Sequence, residues 1–183
     1  MRNIVQRVMA RVDEWYERKY RLRALGPVLR IGYVRYRGPR REFADGTVLN
    51  DNELIGRLHF NNSSIVGIGD GSLHRTGFRF AKLMRQSLLT LAEASVRDPE
   101  LRAIRVYHGV TWIPEHGNVV GFESTPRPKT WRTRVLSSYF KLLMWTFAPA
   151  ARTRARALPE PRDYWLTQRM LAQNAHKLSK VQS

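Results

Sequence analysis

The sequence contains no cysteine among its 183 residues. This absence excludes a disulfide framework, a thiolate zinc site and a cysteine nucleophile. No HExxH or HxH pair occurs either, and we expect neither a metal site nor a bound cofactor. The most apolar stretch, residues 135–148, is shorter than the roughly 20 residues that span a bilayer, so we expect no transmembrane helix. Asp13, Glu14 and Glu17 interrupt the N-terminal region, which argues against a signal peptide.

Acidic residues are missing from residues 124–159, which contain eight Lys or Arg and no Asp or Glu. The whole chain has 32 basic and 15 acidic residues, a net charge of +17. Residues 1–41 contribute +9 and residues 124–159 contribute +8, whereas residues 42–123 carry −2. Such segregated positive charge predicts a polyanionic partner, either a membrane or a nucleic acid. The alternative is a basic surface that only keeps the protein soluble.

The apolar stretch 135–148 has a single charge, Lys141, and basic residues on both sides. An apolar helix with arginines at both ends and tryptophans near them suits the boundary of an anionic bilayer. The alternative is a helix buried against a sheet. The expected membrane-binding residues are Arg127, Lys129, Trp131, Arg132, Arg134, Trp145, Phe147, Arg152, Arg154 and Arg156.

Hydrophobic periodicity predicts both helices and strands. A 3.6-residue period predicts helices over 2–24 and 77–97, and a final helix is expected from Tyr164 to about Asn174. Asp45-Gly46 between apolar residues predicts a hairpin turn. Alternating apolar residues predict strands over 28–37, 54–60, 104–113 and 119–123.

These elements predict a single α+β domain with a small mixed or antiparallel sheet packed by helices. We expect three parts: a basic amphipathic helix in residues 1–24, an α+β core in residues 13–150, and a basic linker with a C-terminal helix in residues 151–183. The glycines at 67, 69 and 71 superficially suggest a phosphate-binding loop. We expect a mobile loop instead, because neither the strand–glycine–helix context of a Rossmann loop nor the Gly-Lys-Ser/Thr of a Walker loop is present.

Two histidines in predicted strands are candidates for chemistry. An imidazole beside a carboxylate such as Glu53 or Glu123 can act as a general base, with an asparagine positioning a substrate. No spacing establishes this geometry, and the alternative is a pair of strand histidines that only bond their neighbours. If His59 lay on the opposite side of the sheet from both His108 and Glu123, no cleft would exist. The candidate catalytic residues are His59, Asn61, His108 and Glu123.

Six short motifs in order resemble the YkoP-like domain family, over about residues 13–174. They are Tyr36-Arg-Gly-Pro39, Asp45-Gly46, Leu58-His-Phe-Asn-Asn62, Gly109-Val-Thr-Trp112, Gly121-Phe-Glu123 and Tyr164-Trp-Leu-Thr167. Members of that family occur alone or fused behind NodB-type polysaccharide deacetylase domains. The resemblance therefore implies work on envelope glycans or glycolipids. It does not imply deacetylase activity, since this chain lacks that domain and its metal-binding motif. His59, Asn61 and Glu123 match motif residues of the family.

Together these features predict a peripheral protein at the cytoplasmic face of the membrane. Its expected partners are the anionic membrane surface and an enzyme of envelope glycan or glycolipid metabolism, which it would serve as an accessory or binding component. One alternative is a small transferase or hydrolase that acts on an envelope precursor through a cleft of His59, His108 and Glu123. The other is a nucleic-acid-binding protein, although the sequence has no helix-turn-helix, RNP or zinc-finger signature.

Overall fold

The computed structural model describes residues 11, 14–15, 17–61, 73–111, 121–131, 133–135, 137–138 and 160–180. Its strands are β1 (Arg23–Leu25), β2 (Leu29–Arg35), β3 (Arg41–Glu42), β4 (Val48–Leu49), β5 (Leu54–Phe60), β6 (Val106–Thr111), β7 (Glu123–Pro126) and β8 (Arg162–Thr167). Three helices have defined bounds: α1 (Leu73–Arg97), α2 (Pro99–Arg102) and α3 (Gln168–Lys180). The chain is also helical at residues 17–20 and 133–135.

Six strands form one mixed sheet in the order β1-β2-β5-β6-β8-β7, and β3 and β4 form a separate hairpin. Strands β5 and β6 are parallel, while β8 pairs antiparallel with both β6 and β7. Strands β5, β6 and β7 therefore run in the same direction, and their carboxyl ends meet at one edge of the sheet. The expected α+β domain is confirmed, and its sheet is mixed.

The helices cover one face of the sheet. Tyr107 and Leu166 project from the central strands into a core that α1 completes with Leu88 and Leu91, and all four are buried. Helix α3 adds Leu171 to this core. Because the helices occupy this face, polar residues that alternate with the core residues project to the opposite face.

A second, smaller cluster lies on the opposite face, beneath the β3–β4 hairpin. Phe43 and Leu49 of the hairpin segment pack against Ile55, Val106 and Trp165 of the sheet. The rest of this face is therefore available to polar side chains.

The hairpin turn at Asp45-Gly46 is confirmed. Gly46 has φ +80°, and its N–H donates to the carbonyl of Phe43 at 2.9 Å. The Asp45 carboxylate accepts hydrogen bonds from the Thr47 N–H at 2.9 Å and the Thr167 hydroxyl at 2.5 Å. The Thr167 hydroxyl also accepts from the Met170 N–H, which caps α3. The turn is thus tied to the start of α3.

Several expected elements match the structure. Strand β5 has the expected bounds 54–60, and the helix expected over 77–97 is confirmed but starts at Leu73. Strand β2 is slightly shorter than the expected 28–37, and β6 begins at Val106 within the expected 104–113. Of the strand expected over 119–123, Glu123 belongs to β7, whereas residues 121 and 122 precede that strand. Residues 112–120 lie outside the described residues.

Two helix predictions were wrong at their ends. Residues 23–24, expected to be helical, belong to β1, after Arg21 leaves the helix with φ +46°. Residues 164–167, expected to begin the last helix, belong to β8, and the helix starts at Gln168. The sequence pattern does not identify β8 as a strand, because Tyr164 to Thr167 are all buried. A strand covered on both faces lacks the alternation by which half-buried strands are recognised.

The glycines at 67, 69 and 71 lie outside the described residues. The elements on either side are β5 and α1, so this stretch does connect a strand to a helix. The expectation that these glycines lack a strand before them and a helix after them was therefore wrong. Most of the apolar stretch 135–148 also lies outside the described residues. In the part of the chain that is described, no helix combines the length and hydropathy needed to cross a bilayer.

Candidate functional site at the carboxyl edge of the sheet

The edge where β5, β6 and β7 end also contains the start of β8. His59 lies near the end of β5, Arg127 directly follows β7, and Asp163 is the second residue of β8. In open sheets with parallel strands, ligands characteristically bind beyond the carboxyl ends of those strands. This edge is therefore the natural position for a functional site.

The strand register places the predicted catalytic residues on one face. His108 is opposite Arg57 on one side and opposite Trp165 on the other, and Glu123 is also opposite Trp165. Since paired residues project to the same side of a sheet, His108 and Glu123 share the face that carries Arg57. His59, two residues beyond Arg57 in β5, projects to that face as well. His59 therefore does not lie on the opposite side of the sheet from His108 and Glu123, which would have excluded a common cleft. A catalytic role for these residues stays a prediction.

One carboxylate oxygen of Asp163 contacts both the imidazole of His108 and the guanidinium of Arg127. Nε2 of His108 lies 2.8 Å from Oδ1 of Asp163, and Nη1 of Arg127 donates to the same oxygen at 3.0 Å. The imidazole ring of His108 also stacks against Trp165, with centroids 4.2 Å apart. We call Arg57, His59, His108, Arg127 and Asp163 the edge cluster. The His108 ring is thus held at its edge by the hydrogen bond of Nε2 and on one face by packing against Trp165.

His59 is held in its neutral form. Burial, followed by the nearby positive charge of Arg57 and the neighbouring His108, lowers the pKa of His59 to about 3. A neutral imidazole has one N–H donor and one acceptor nitrogen, so at pH 7 His59 can offer a hydrogen bond without adding charge.

Glu123 has a structural position in this arrangement. Its Oε1 accepts a hydrogen bond from the Ala44 N–H at 2.8 Å, and its Oε2 lies 3.7 Å from the Arg41 guanidinium. Glu123 therefore attaches the hairpin to β7. The carboxylate that contacts His108 is Asp163, which the sequence reasoning missed because residue 163 was assigned to a linker next to a helix.

Asn61 lies one residue beyond β5. Its backbone N–H donates to the carbonyl of Val28 at 2.8 Å, which extends the pairing of β2 and β5 to the edge of the sheet. This bond holds the backbone of Asn61 at the edge of the sheet, two residues beyond His59. Among the described residues, no group of three His, Asp or Glu is arranged to hold a metal ion.

The expected membrane-binding residues fall into three groups. Arg127 belongs to the edge cluster, whereas Lys129 and Arg134 are exposed. Trp131 is 69% exposed, and the next turn of the helical segment presents Val135 at 60%. The remaining six lie outside the described residues: Arg132, Trp145, Phe147, Arg152, Arg154 and Arg156.

A local hydrogen-bond pattern starts the helical segment that carries Trp131. The Thr133 N–H donates to the Thr130 hydroxyl at 3.3 Å, as expected for a helix N-cap. The Thr133 hydroxyl donates back to the carbonyl of Pro128 at 2.7 Å. Because Thr130 and Thr133 define the start of the helix, Trp131 and Val135, four residues apart, lie on the same side of it.

A groove of about 420 Å³ lies near the opposite edge of the sheet, lined in part by Arg105, Gln168 and Arg169. Arg105 donates to the carbonyl of Val48, and Arg169 donates to the carbonyl of Asp45 at 3.1 Å. Both guanidinium groups thus attach the hairpin to the rest of the fold, which makes this groove a structural junction.

Comparison with known proteins gives one match. The family model of the YkoP domain matches residues 2–175, nearly the whole chain. No curated protein and no solved structure matches. The resemblance seen in the six short motifs is thereby confirmed, and the chain belongs to the YkoP domain family.

Proposed function

We propose that the protein associates peripherally with an anionic membrane surface and serves envelope glycan or glycolipid metabolism as a binding or accessory component. The observation that carries this proposal is the exposure of Trp131 and Val135 next to the exposed basic residues Lys129 and Arg134. The segment belongs to residues 124–159, which contain no acidic residue. The membrane face is taken to be the cytoplasmic one, where anionic lipids attract basic segments.

The physical argument joins an apolar and an electrostatic contribution. Tryptophan favours the headgroup level of a bilayer, and Val135 adds apolar surface on the same side of the helix. Each basic residue near an anionic surface contributes on the order of 1 kcal/mol. Together the two contributions support reversible docking. The envelope setting rests on the family resemblance.

The test is co-sedimentation with vesicles of neutral phosphatidylcholine, with and without anionic phosphatidylglycerol. We expect the wild-type protein to sediment only with the anionic vesicles, and less so as salt screens the charges. The variant Lys129→Gln/Arg134→Gln should lower the partition coefficient by about tenfold, after discounting the contribution per charge for screening. Trp131→Ser should also weaken binding.

The matched control is Lys82→Gln/Arg97→Gln, which removes two exposed charges from α1. It should bind almost as the wild type does. Binding that ignores lipid charge, or an equal loss in both double variants, would reject the proposed surface. A gel shift that persists above about 200 mM salt would instead support the nucleic-acid alternative.

The pair of His108 and Asp163 favours a second candidate function, a small transferase or hydrolase of an envelope precursor. A carboxylate that orients an imidazole is a common arrangement for general base catalysis. In this candidate His108 would accept a proton through Nδ1, since Nε2 is engaged by Asp163. The test is hydrolysis of p-nitrophenyl esters: activity should disappear in His108→Gln and persist in His176→Gln, whose histidine is exposed on α3.

A further inference from the structure

The edge cluster contains more positive than negative charge. Arg57, whose guanidinium lies over the Tyr20 ring, and Arg127 supply two positive charges, and Asp163 supplies one carboxylate. The neighbouring Arg30, which is opposite His59 in the sheet, forms an ion pair with Glu17, so those two charges offset each other. The two imidazoles add hydrogen-bonding capacity. A site with this balance favours an anion that can accept several hydrogen bonds.

Asp163 positions the side chains of Arg127 and His108, and it occupies only one nitrogen of each. It engages Nη1 of Arg127 and Nε2 of His108, each through its Oδ1. A guanidinium has five N–H donors, so Arg127 retains donor capacity beyond this ion pair. Its Nε is buried and has no hydrogen-bond acceptor within the described residues. A buried N–H without an acceptor is costly, and a phosphate oxygen would supply the acceptor.

The edge cluster also adjoins the segment proposed to lie on the membrane. Arg127 precedes the exposed Lys129 by two residues and the exposed Trp131 by four. A headgroup bound at this segment would therefore lie close to Arg127 of the edge cluster. We propose that the edge cluster binds the phosphate group of an anionic lipid headgroup, an inference that rests on the proposed membrane association.

The test uses the full chain and a soluble phosphate, glycerol 3-phosphate, with the imidazole NMR signals as the readout. We expect saturable shifts of the His59 and His108 signals, and no shift for His176, which lies on α3 away from the cluster. Arg57→Gln/Arg127→Gln should weaken binding by about tenfold or more, because charge-assisted hydrogen bonds are lost. Equal shifts of all histidines without saturation would overturn the proposal, as would a folded double variant that binds like the wild type.

Because Arg127→Gln also removes a partner of Asp163, a milder variant is needed. Arg127→Lys keeps the charge but loses the planar fork of donors, so it should bind glycerol 3-phosphate severalfold more weakly. If Arg57→Gln/Arg127→Gln does not fold, unchanged affinity in Arg127→Lys overturns the site.

Vesicle binding separates this proposal from the one it rests on. Lys129→Gln/Arg134→Gln should bind vesicles about tenfold more weakly, as expected above, but keep its affinity for glycerol 3-phosphate. If the wild type binds the soluble phosphate but no vesicle, membrane association fails and the edge cluster remains a phosphate site. Glycerol 3-phosphate should also compete with vesicles that contain phosphatidic acid. Binding of both without competition would reject the lipid headgroup as the source of the phosphate.

Discussion

Nε2 of His108 lies 2.8 Å from Oδ1 of Asp163, although 55 positions separate the two residues in the chain. The contact exists because β6 and β8 are antiparallel neighbours, with His108 opposite Trp165. Asp163, two residues before Trp165, reaches diagonally across to the imidazole. The carboxylate then connects His108 to Arg127, which follows a third strand. One acidic side chain thus links three strands at the carboxyl edge of the sheet.

Asp163→Asn should destabilise the fold. Replacing the carboxylate by an amide removes the negative charge that contacts both His108 and Arg127. Hydrogen bonds to a charged group in such a half-buried position contribute about 1–3 kcal/mol. The free energy of unfolding in urea measures the effect. Glu42→Gln is the control, because the side chain of Glu42 forms an exposed ion pair with Arg40, of the kind that contributes about 1 kcal/mol or less. Equal losses in both variants would contradict the role assigned to Asp163.

The neutral state of His59 predicts a pH dependence of stability. The pKa of His59 is about 3 in the folded protein and 6.5 for an unperturbed histidine. The unfolded chain therefore binds a proton near pH 6.5 that the folded protein does not bind until much lower pH. Stability from this group is present above pH 6.5 and lost as pH falls, by about 2 kcal/mol between pH 7 and pH 5.

The measurement is urea unfolding at several pH values between 5 and 7, before the carboxylates titrate strongly. In His59→Gln, the loss of unfolding free energy between pH 7 and pH 5 should be smaller by about 2 kcal/mol. His176→Gln should leave the loss unchanged, because His176 is exposed. A wild-type slope retained in His59→Gln would show that another group causes the pH dependence.

Two glycines with positive φ predict different costs for the same substitution. Gly26 has φ +70° and Gly46 has φ +80°, so alanine is strained at both, by about 1 kcal/mol. A Cβ at Gly26 would lie 2.8 Å from the Cα of Ser87, whereas a Cβ at Gly46 would have no atom of the described residues within 4 Å. Gly26→Ala should therefore cost about 1–3 kcal/mol more than Gly46→Ala in thermal or urea unfolding. Similar costs would mean that α1 moves aside without penalty.

Thr167→Val should loosen the junction between the hairpin and α3. The hydroxyl of Thr167 donates to Asp45 and accepts from the Met170 N–H, and the side chain is buried. Valine has nearly the same shape but supplies neither bond, so we expect a loss of about 1–3 kcal/mol. Thr167→Ser keeps the hydroxyl and should lose less. If Thr167→Ser loses as much stability as Thr167→Val or more, the two hydrogen bonds of the hydroxyl are not the main contribution of this side chain.

Local patterns in the sequence determined much of the secondary structure. The alternation in residues 54–60 specified β5, because that strand has one apolar and one polar side over most of its length. Asp45-Gly46 specified the turn, because Gly46 must adopt a positive φ. The long apolar face of residues 77–97 specified the central helix α1. In each case residues close in the sequence decide the conformation through their own sterics and periodicity.

Only the tertiary structure decided the position of β8 and the membership of the edge cluster. Strand β8 is buried on both faces, so its sequence lacks the alternation that identifies a half-buried strand. The choice of Asp163 over Glu123 as the partner of His108 depends on which strands are neighbours, and pairing across 55 residues leaves no local pattern. Charge segregation and the exposed segment near Trp131 could be anticipated from the sequence, since composition alone places basic residues there. The convergence of three carboxyl ends at one edge required the sheet to form.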